Sequence, residues 1–312
     1  MTRQKLLSIK DPRINGTQRM RDTVSAVPFI IPGLILASVF IIYPMLLTLR
    51  LSVSEFQIVR GEYTFVCLDN FISLLSDPQN RFFYAYRNNL LYAFVTIPFI
   101  LLFGLLIATL INNLRHGRTF FRLSLYLPVI TPWVIAGLVF TYLFNSSNRG
   151  LVNYIIVDIL RLSDDYIPWL LQEWTGNSVI WLMGIWKNIG WSMVIYLAAL
   201  QGISREYYES AELDGASRIV MFWKITIPLV KPATFFILVN MLIGSFNVFL
   251  QVLLLTGGNP LGKTSSLQYM LYDKAFNLFE FGQGAAIGLI TGISVFILTL
   301  VMNRLTRQEE SV

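Results

Sequence analysis

The sequence contains one cysteine, Cys67, and one histidine, His116, among 312 residues. A single cysteine cannot form an intrachain disulfide. Neither residue has the partners that a zinc site, a Ser-His-Asp triad or a Cys-His pair requires. Charged residues make up only 13% of the chain, about half of what a soluble domain carries. These shortages argue against metal-dependent or histidine-based catalysis and against a soluble fold, and we expect no cofactor in this chain.

Apolar residues, in contrast, make up 55% of the chain, and the mean hydropathy is +0.60. They are concentrated in six runs, each long enough to cross a hydrocarbon core of about 30 Å. These runs are residues 27–49, 90–111, 123–144, 178–201, 233–255 and 285–302. The pattern predicts an all-α polytopic membrane protein with six transmembrane helices. We divide it into an N-terminal tail (1–25), a transmembrane domain (26–304) and a C-terminal tail (305–312).

The distribution of lysine and arginine predicts the orientation in the bilayer. Fifteen of the 24 cations lie in the two tails and in the segments around 112–122 and 202–232, eight lie in the other three loops, and Lys187 lies within a run. Because cytoplasmic loops carry the excess of cations, both termini and the 202–232 segment are expected on the cytoplasmic side. The cations form no aromatic-lined soluble face, so the net charge of +6 does not indicate nucleic-acid binding.

One segment formally matches a nucleotide-binding pattern. Residues 257–264 read GGNPLGKT, which fits the P-loop spacing. A P-loop, however, follows a buried strand and opens a helix in an α/β domain, whereas this segment follows an apolar run. We therefore expect no nucleotide site here.

A polar segment, 207–228, lies between two strongly apolar runs and reads YYESAELDGASRIVMFWKITIP. Its carboxylates and cations are too costly to bury in hydrocarbon, so the segment must project into water. We predict a helix–turn–helix, with Ala211 and Leu213 on the apolar side of the first helix and Gly215 at the turn. An ordinary cytoplasmic connector is the alternative interpretation.

This segment resembles the EAA loop of binding-protein-dependent ABC importer permeases. The matching parts are Glu209-Ser210-Ala211, Asp214-Gly215-Ala216 and Ile225-Thr226-Ile227-Pro228. Two positions depart from the family pattern, Ser210 for alanine and Ile227 for leucine, and both keep size or apolarity. Residues 120–132 and 256–260 also resemble the carbohydrate-uptake class of these permeases, so the resemblance extends over nearly the whole chain.

The resemblance implies the transmembrane domain of a type I ABC importer in a bacterial inner membrane. Such a subunit is not itself an enzyme, because a separate ATPase dimer binds ATP and magnesium. It implies three protein partners: that ATPase, a second and different permease subunit, and an extracytoplasmic solute-binding protein. The loop 203–231 would couple to the ATPase through Glu209, Ala211, Glu212, Asp214 and Gly215.

Polar side chains within two of the apolar runs are candidates for a substrate pathway. Asn240, Gly244, Asn247 and Gln251 recur at spacings of four, three and four, which places them on one face of a helix, with Ser245 beside them. Hydrogen bonding between helices is the alternative role for such residues.

The fourth run contributes Lys187, Asn188 and Trp191. A lysine within a span indicates a functional site, although snorkelling to the interface is a second possibility. The family resemblance points to Asn188, Trp191, Gly244, Ser245, Asn247 and Val248.

The solute remains open at this stage. A sugar or oligosaccharide suits a neutral polar stripe, and glycerol phosphate is an alternative that Lys187 would favour if it faced the pathway. An ion-driven secondary transporter would require carboxylates within the spans, and a membrane-embedded enzyme would require a catalytic pair there. The six apolar runs contain neither feature.

Overall fold

A computed structural model describes residues 16–57, 61–79 and 81–309. Residues 1–15 of the predicted N-terminal tail and 310–312 of the predicted C-terminal tail lie outside the described residues. The chain divides into two compact units, Met1–Arg50 and Leu51–Val312.

The first unit is helical wherever it is described. Helix α1 (Gly16–Ala37) continues through a π-helical segment, Ser38–Ile42, into α2 (Tyr43–Ser52), which extends just beyond the unit boundary. From Val27 onward most side chains are apolar and exposed, including Phe29 at 87% and Phe40 at 72%. An apolar helix with exposed side chains is expected where the surroundings are lipid.

The second unit begins with a feature that the all-α prediction missed, a two-stranded antiparallel hairpin. Strand β1 (Ser54–Gln57) pairs with β2 (Glu62–Phe65), and Phe56 lies opposite Tyr63. The Asn70 amide donates to the carbonyls of Ser52 and Ser54 at 2.9 and 3.1 Å, which ties the hairpin to the helix that follows it. Strands this short carry too little alternation to be recognised in a sequence.

The remaining helices of the second unit follow in chain order. They are α3 (Asp69–Leu75), α4 (Arg81–Asn113), α5 (Arg118–Ile130), α6 (Trp133–Leu143), α7 (Leu151–Asn153), α8 (Glu173–Gln201), α9 (Glu206–Leu213), α10 (Arg218–Met221), α11 (Ile227–Leu229), α12 (Lys231–Ser245), α13 (Leu250–Leu255), α14 (Leu267–Tyr272) and α15 (Phe281–Glu309). Short π-helical segments, Tyr154–Ile159, Phe222–Thr226 and Asp273–Asn277, extend α7, α10 and α14.

Three helical stretches of the described chain are long and apolar enough to cross a membrane, namely Val27–Ser52, Arg81–Asn113 and Phe281–Arg304. Two bent pairs raise the number to five at most. The pairs are α5 with α6, bent by 92°, and Arg218–Leu229 with Lys231–Ser245, bent by 62°. Helix α8, which contains the predicted fourth span, is not among them.

The predicted fifth span is not one continuous helix. Helix α12 ends at Ser245 and α13 begins at Leu250, and Phe249 between them has φ −128° and ψ −64°. The cause lies in the packing. Phe246 and Val248 are both buried, but in different apolar clusters. Leaving the helix between them lets each side chain reach its own cluster.

Helices α4 and α8 cross at small residues. A Cβ on Gly104 would lie 2.0 Å from Ser192 Oγ, and a Cβ on Gly184 would lie 2.0 Å from the Tyr92 hydroxyl. Ser192 Oγ also donates to the Ile100 carbonyl at 3.0 Å. Glycine and serine let helices in a membrane approach closely, and this contact places α4 beside the cavity described below.

The N-terminal part of α4 is tied to the segment that resembles a P-loop. The Asn88 amide donates to the carbonyls of Lys263 and Ser265, both at 2.8 Å, and Arg87 forms a 2.6 Å ion pair with Glu173. The segment follows α13 and leads into α14, so no strand precedes it. It therefore lacks the structural context of a nucleotide site.

Candidate functional site

A cavity of about 290 Å³ opens where α4, α6, α8, α12 and α13 meet. The break between α12 and α13 forms part of its wall. The lining residues are Tyr92, Thr96, Ile100, Trp133, Asn188, Met241, Gly244, Asn247, Phe249, Leu250 and Gln251. Tyrosine is the only ionisable residue among them.

Four of the predicted pathway residues line this cavity: Asn188, Gly244, Asn247 and Gln251. The amide nitrogen of Asn188 donates to the Gly184 carbonyl at 2.8 Å, and that of Asn247 donates to the Ile243 carbonyl at 3.0 Å. Each amide is thus oriented by its own helix. Among the described residues, no group donates a hydrogen bond to the side-chain oxygen of either asparagine, so both oxygens are available as acceptors.

Three aromatic side chains also line the cavity. Trp133 begins α6, directly after the bend, and Phe249 lies in the break between α12 and α13. Tyr92 comes from α4, and its hydroxyl lies next to the Gln251 side chain. A ligand with hydroxyl groups and apolar ring faces would find both acceptors and aromatic surfaces here.

Lys187, near the middle of α8, is buried but does not line the cavity. Its ammonium group lies 2.9 Å from the Pro128 carbonyl and 3.3 Å from the Val129 carbonyl, and it also donates to the Thr131 carbonyl. These carbonyls belong to the end of α5, where the helix leaves its last acceptors unpaired. A cation there also complements the helix dipole.

The same ammonium group lies 4.7 Å from the ring centroid of Trp133, within the range of a cation–π contact. Gly190 permits this close packing, because a Cβ there would lie 2.3 Å from the Leu125 carbonyl. Lys187 therefore stabilises the bend between α5 and α6 and contacts the ring of Trp133, which lines the cavity.

Three further predicted residues lie away from the cavity. Trp191 stacks on Phe236, with ring centroids 6.2 Å apart. Asn240 is exposed, and its amide donates to the Phe236 carbonyl at 2.7 Å. Ser245 is buried and its hydroxyl donates to the Leu242 carbonyl at 2.6 Å. Asn240 lies one turn before Gly244 on α12, and Ser245 is buried next to Gly244, so neither side chain lines the cavity.

Seven lining residues were not predicted from the sequence: Tyr92, Thr96, Ile100, Trp133, Met241, Phe249 and Leu250. Tyr92 and Thr96 stand four apart on α4, where they are indistinguishable from ordinary buried positions of an apolar helix. Trp133 had a visible signal, because it follows Pro132 at the interruption of the third run.

The polar segment forms the predicted helix–turn–helix, consisting of α9, a turn, and the helical stretch Arg218–Leu229. The Tyr208 hydroxyl lies 3.1 Å from Thr226 Oγ1, which joins the two arms. Ala211 is half-buried on the same side as Tyr208. Leu213 is 90% exposed and does not share the half-buried side of Ala211, so the prediction that both lie on one apolar side is wrong.

The turn is a Schellman motif, the standard glycine ending of a helix. The amide of Ala216 donates to the Ala211 carbonyl at 2.9 Å, and that of Gly215 donates to the Glu212 carbonyl at 3.0 Å. Gly215 has φ +77°, a left-handed conformation that glycine adopts without strain. Ser217 then starts the next helix by accepting a hydrogen bond from the Val220 amide.

The remaining predicted coupling residues are the carboxylates of α9 and the turn. Glu209, Glu212 and Asp214 are exposed, and none of the three forms an ion pair with another described residue. Together with Leu213, they present carboxylates beside an uncovered apolar side chain. Such a short, capped helix is suited to docking in a groove of another protein.

Comparison with known families identifies the chain. Residues 100–309 match the family described as the binding-protein-dependent transport system inner membrane component. The chain belongs to this family. It is therefore a permease subunit of a binding-protein-dependent importer and a multi-pass protein of the inner membrane, as the EAA-like segment indicated.

Curated relatives align over most of their length. The chain is 32% identical to the arabinooligosaccharides transport permease AraP of Bacillus subtilis, covering 89% of this chain and 86% of AraP. It is 30% identical to the trehalose/maltose transport permease MalF of Thermococcus litoralis, covering 95% and 98%. It is 29% identical to the sn-glycerol-3-phosphate transport permease UgpA of Escherichia coli, covering 88% and 90%.

A solved structure shows the same fold. A chain of a bacterial ABC transporter that imports the acidic polysaccharide alginate aligns with a TM-score of 0.80 and 23% identity, over 93% of this chain and 98% of that one.

Proposed function

We propose that this permease carries a neutral sugar or oligosaccharide, and that the cavity at the α12–α13 break is its contribution to the binding site. The observation that carries the proposal is the lining itself: two asparagine oxygens without donors, a glutamine, and aromatic rings, with no carboxylate, lysine or arginine. Sugar hydroxyls would donate to the amide oxygens, and an apolar sugar face would pack against Trp133.

The absence of a cation from the lining argues against an anionic solute such as glycerol phosphate. A phosphate brought into this cavity would lose its hydration and find no charged donor. Lys187, the nearest candidate, already donates to three backbone carbonyls. The relatives named for arabinooligosaccharides and for trehalose and maltose support the neutral alternative.

The proposal also covers the topology and the partner subunits of the importer. We place six spans in the membrane with both termini in the cytoplasm, and keep the division into 1–25, 26–304 and 305–312. A second, different permease subunit would complete the pathway, and an extracytoplasmic binding protein would deliver the solute. ATP and magnesium would bind a separate ATPase dimer, in which α9 and Gly215 would dock, so this subunit would catalyse no reaction itself.

Two asparagines of the same region form a matched test. Asn240 and Asn247 both donate to a carbonyl four residues earlier, but only Asn247 lines the cavity. In the reconstituted importer, we expect Asn247→Leu to lower sugar-stimulated transport about tenfold in kcat/KM, which corresponds to one lost hydrogen bond. Asn240→Leu should leave it near the wild-type value.

The same assay distinguishes the solutes. Neutral oligosaccharides and glycerol phosphate would be supplied with their respective binding proteins. Uptake of glycerol phosphate in preference to sugars would overturn the neutral-sugar proposal. Equal losses in Asn240→Leu and Asn247→Leu would show that the cavity is not the binding site.

A further inference from the structure

A second, larger cavity of about 730 Å³ lies where the C-terminal ends of α4 and α8 meet the segment that contains α9 and α10. Four arginines from separate parts of the chain line it: Arg115, Arg118, Arg205 and Arg218. Glu212 is the only carboxylate in the lining, which leaves an excess of three positive charges. The cavity at the α12–α13 break contains no such group, so the two are chemically distinct.

The positive charge of this cavity is not neutralised by the rest of the described chain. Within residues 16–57, 61–79 and 81–309, none of the four guanidinium groups forms an ion pair with a carboxylate. Arg118 donates through Nε to the Leu114 carbonyl instead, which keeps its charge. Converging guanidinium groups repel one another, and an anion that bridges them removes this cost.

The side chains between the arginines are donors as well. Asn112, Asn113 and Gln201 line the same cavity. The excess of cations on one side of a membrane protein accounts for how many arginines this region carries, but not for their convergence on one cavity. Arg304 illustrates the difference: like the four cavity arginines it is exposed, but it lies near the end of α15 and does not line the cavity.

We propose that this arginine cavity binds a phosphate-bearing anion, either the headgroup of an anionic lipid or a soluble phosphate ester. Phosphate fits because its oxygens accept paired hydrogen bonds from planar guanidinium groups, and several such groups can share one phosphate. The volume leaves room for the group that the phosphate carries.

Such an anion would join parts of the chain that are otherwise separate. Arg115 lies in the connection between α4 and α5 and Arg118 begins α5, whereas Arg205 and Arg218 flank α9 and the Schellman turn. A phosphate held by both pairs would fix α9 relative to the end of α4. This consequence for coupling rests on the proposed function, whereas the binding itself does not.

The test uses the complete importer and two arms that separate the sources. In the first, delipidated complex in detergent is titrated with inorganic pyrophosphate, and the melting temperature is recorded. In the second, complex is reconstituted in phosphatidylcholine bilayers with and without phosphatidylglycerol, and bound lipid is counted by native mass spectrometry. The variants are the double substitution Arg115→Gln/Arg218→Gln and the control Arg304→Gln.

A soluble ester is indicated if only the first arm shows binding, and a lipid headgroup if the second shows retained phosphatidylglycerol. In either case, the double substitution should weaken binding at least tenfold, while Arg304→Gln should not. No binding in either arm, or an equal loss in the control, overturns the proposal. Sugar-stimulated ATP hydrolysis is measured in parallel, and its absence from the wild type would contradict the proposed function rather than the arginine cavity.

Discussion

At the scale of single residues, Lys187 shows how a charge in a span can have a structural role. The sequence marked it as a pathway residue or a snorkelling one, because a membrane-buried lysine is costly without a purpose. In the structure, the ammonium group donates to backbone carbonyls at the end of α5. No sequence pattern predicts this, since the acceptors are backbone atoms more than fifty residues away.

Replacing this lysine should therefore affect stability before it affects transport. We expect Lys187→Met to lower the free energy of unfolding by about 3 kcal/mol, because the carbonyls at the α5–α6 bend lose their shared donor. Thermal melting of the detergent-solubilised importer measures this. The exposed Lys224→Met is the control and should melt like the wild type. A Lys187→Met protein of normal stability that lost sugar affinity would instead assign Lys187 to the pathway.

Substitutions at Gly215 can distinguish the effect of the backbone conformation from the effect of contact with a partner protein. A Cβ at this position would meet no atom within 4 Å, so only the positive φ disfavours a side chain. Gly215→Ala should cost about 1–2 kcal/mol in the turn, and Gly215→Asn less, because asparagine tolerates the left-handed region. We expect sugar-stimulated ATP hydrolysis to fall further in Gly215→Ala than in Gly215→Asn. An asparagine variant as impaired as the alanine one would show that the docked partner needs the empty space.

At the scale of helices, the sequence predicted what proline, glycine and charge determine locally. The turn occurs at Gly215 as predicted, and the bend between α5 and α6 lies at Pro132, which interrupts the third apolar run. The break between α12 and α13 has no such residue. It arises because Phe246 and Val248 pack into different clusters, which is information about the assembled fold. Asn247, within the break, and Gln251, after it, supply two of the three amides that line the cavity.

The crossing of α4 and α8 offers a second pair of matched substitutions. Gly184→Ala would place a methyl group 2.0 Å from the Tyr92 hydroxyl, whereas Gly244→Ala would meet nothing within 4 Å. We expect the first to destabilise the importer by about 1–3 kcal/mol through overpacking and the second to change stability by less than about 0.5 kcal/mol. Denaturant-dependent melting compares the two, and similar stabilities would mean that α4 and α8 are not in close contact here.

At the scale of the whole molecule, the only cysteine reports on the orientation. Cys67 is exposed, between β2 and α3, in the loop expected on the extracytoplasmic side. A membrane-impermeant maleimide should therefore label intact spheroplasts that carry the wild-type chain. With Cys67→Ser/Ser210→Cys, which moves the thiol to α9, labelling should require permeabilisation. The reverse pattern would invert the proposed topology.

Helix α4 gives the molecule a mechanical property of its own. Its 33 residues make a rod of about 50 Å, well beyond the thickness of the hydrocarbon. Arg87 pairs with Glu173 near one end, Tyr92 and Thr96 touch the sugar-sized cavity, and Asn112 reaches the arginine cavity at the other. All three places are therefore attached to one continuous helical backbone. A single helix therefore links the Arg87–Glu173 ion pair, the cavity at the α12–α13 break and the arginine cavity.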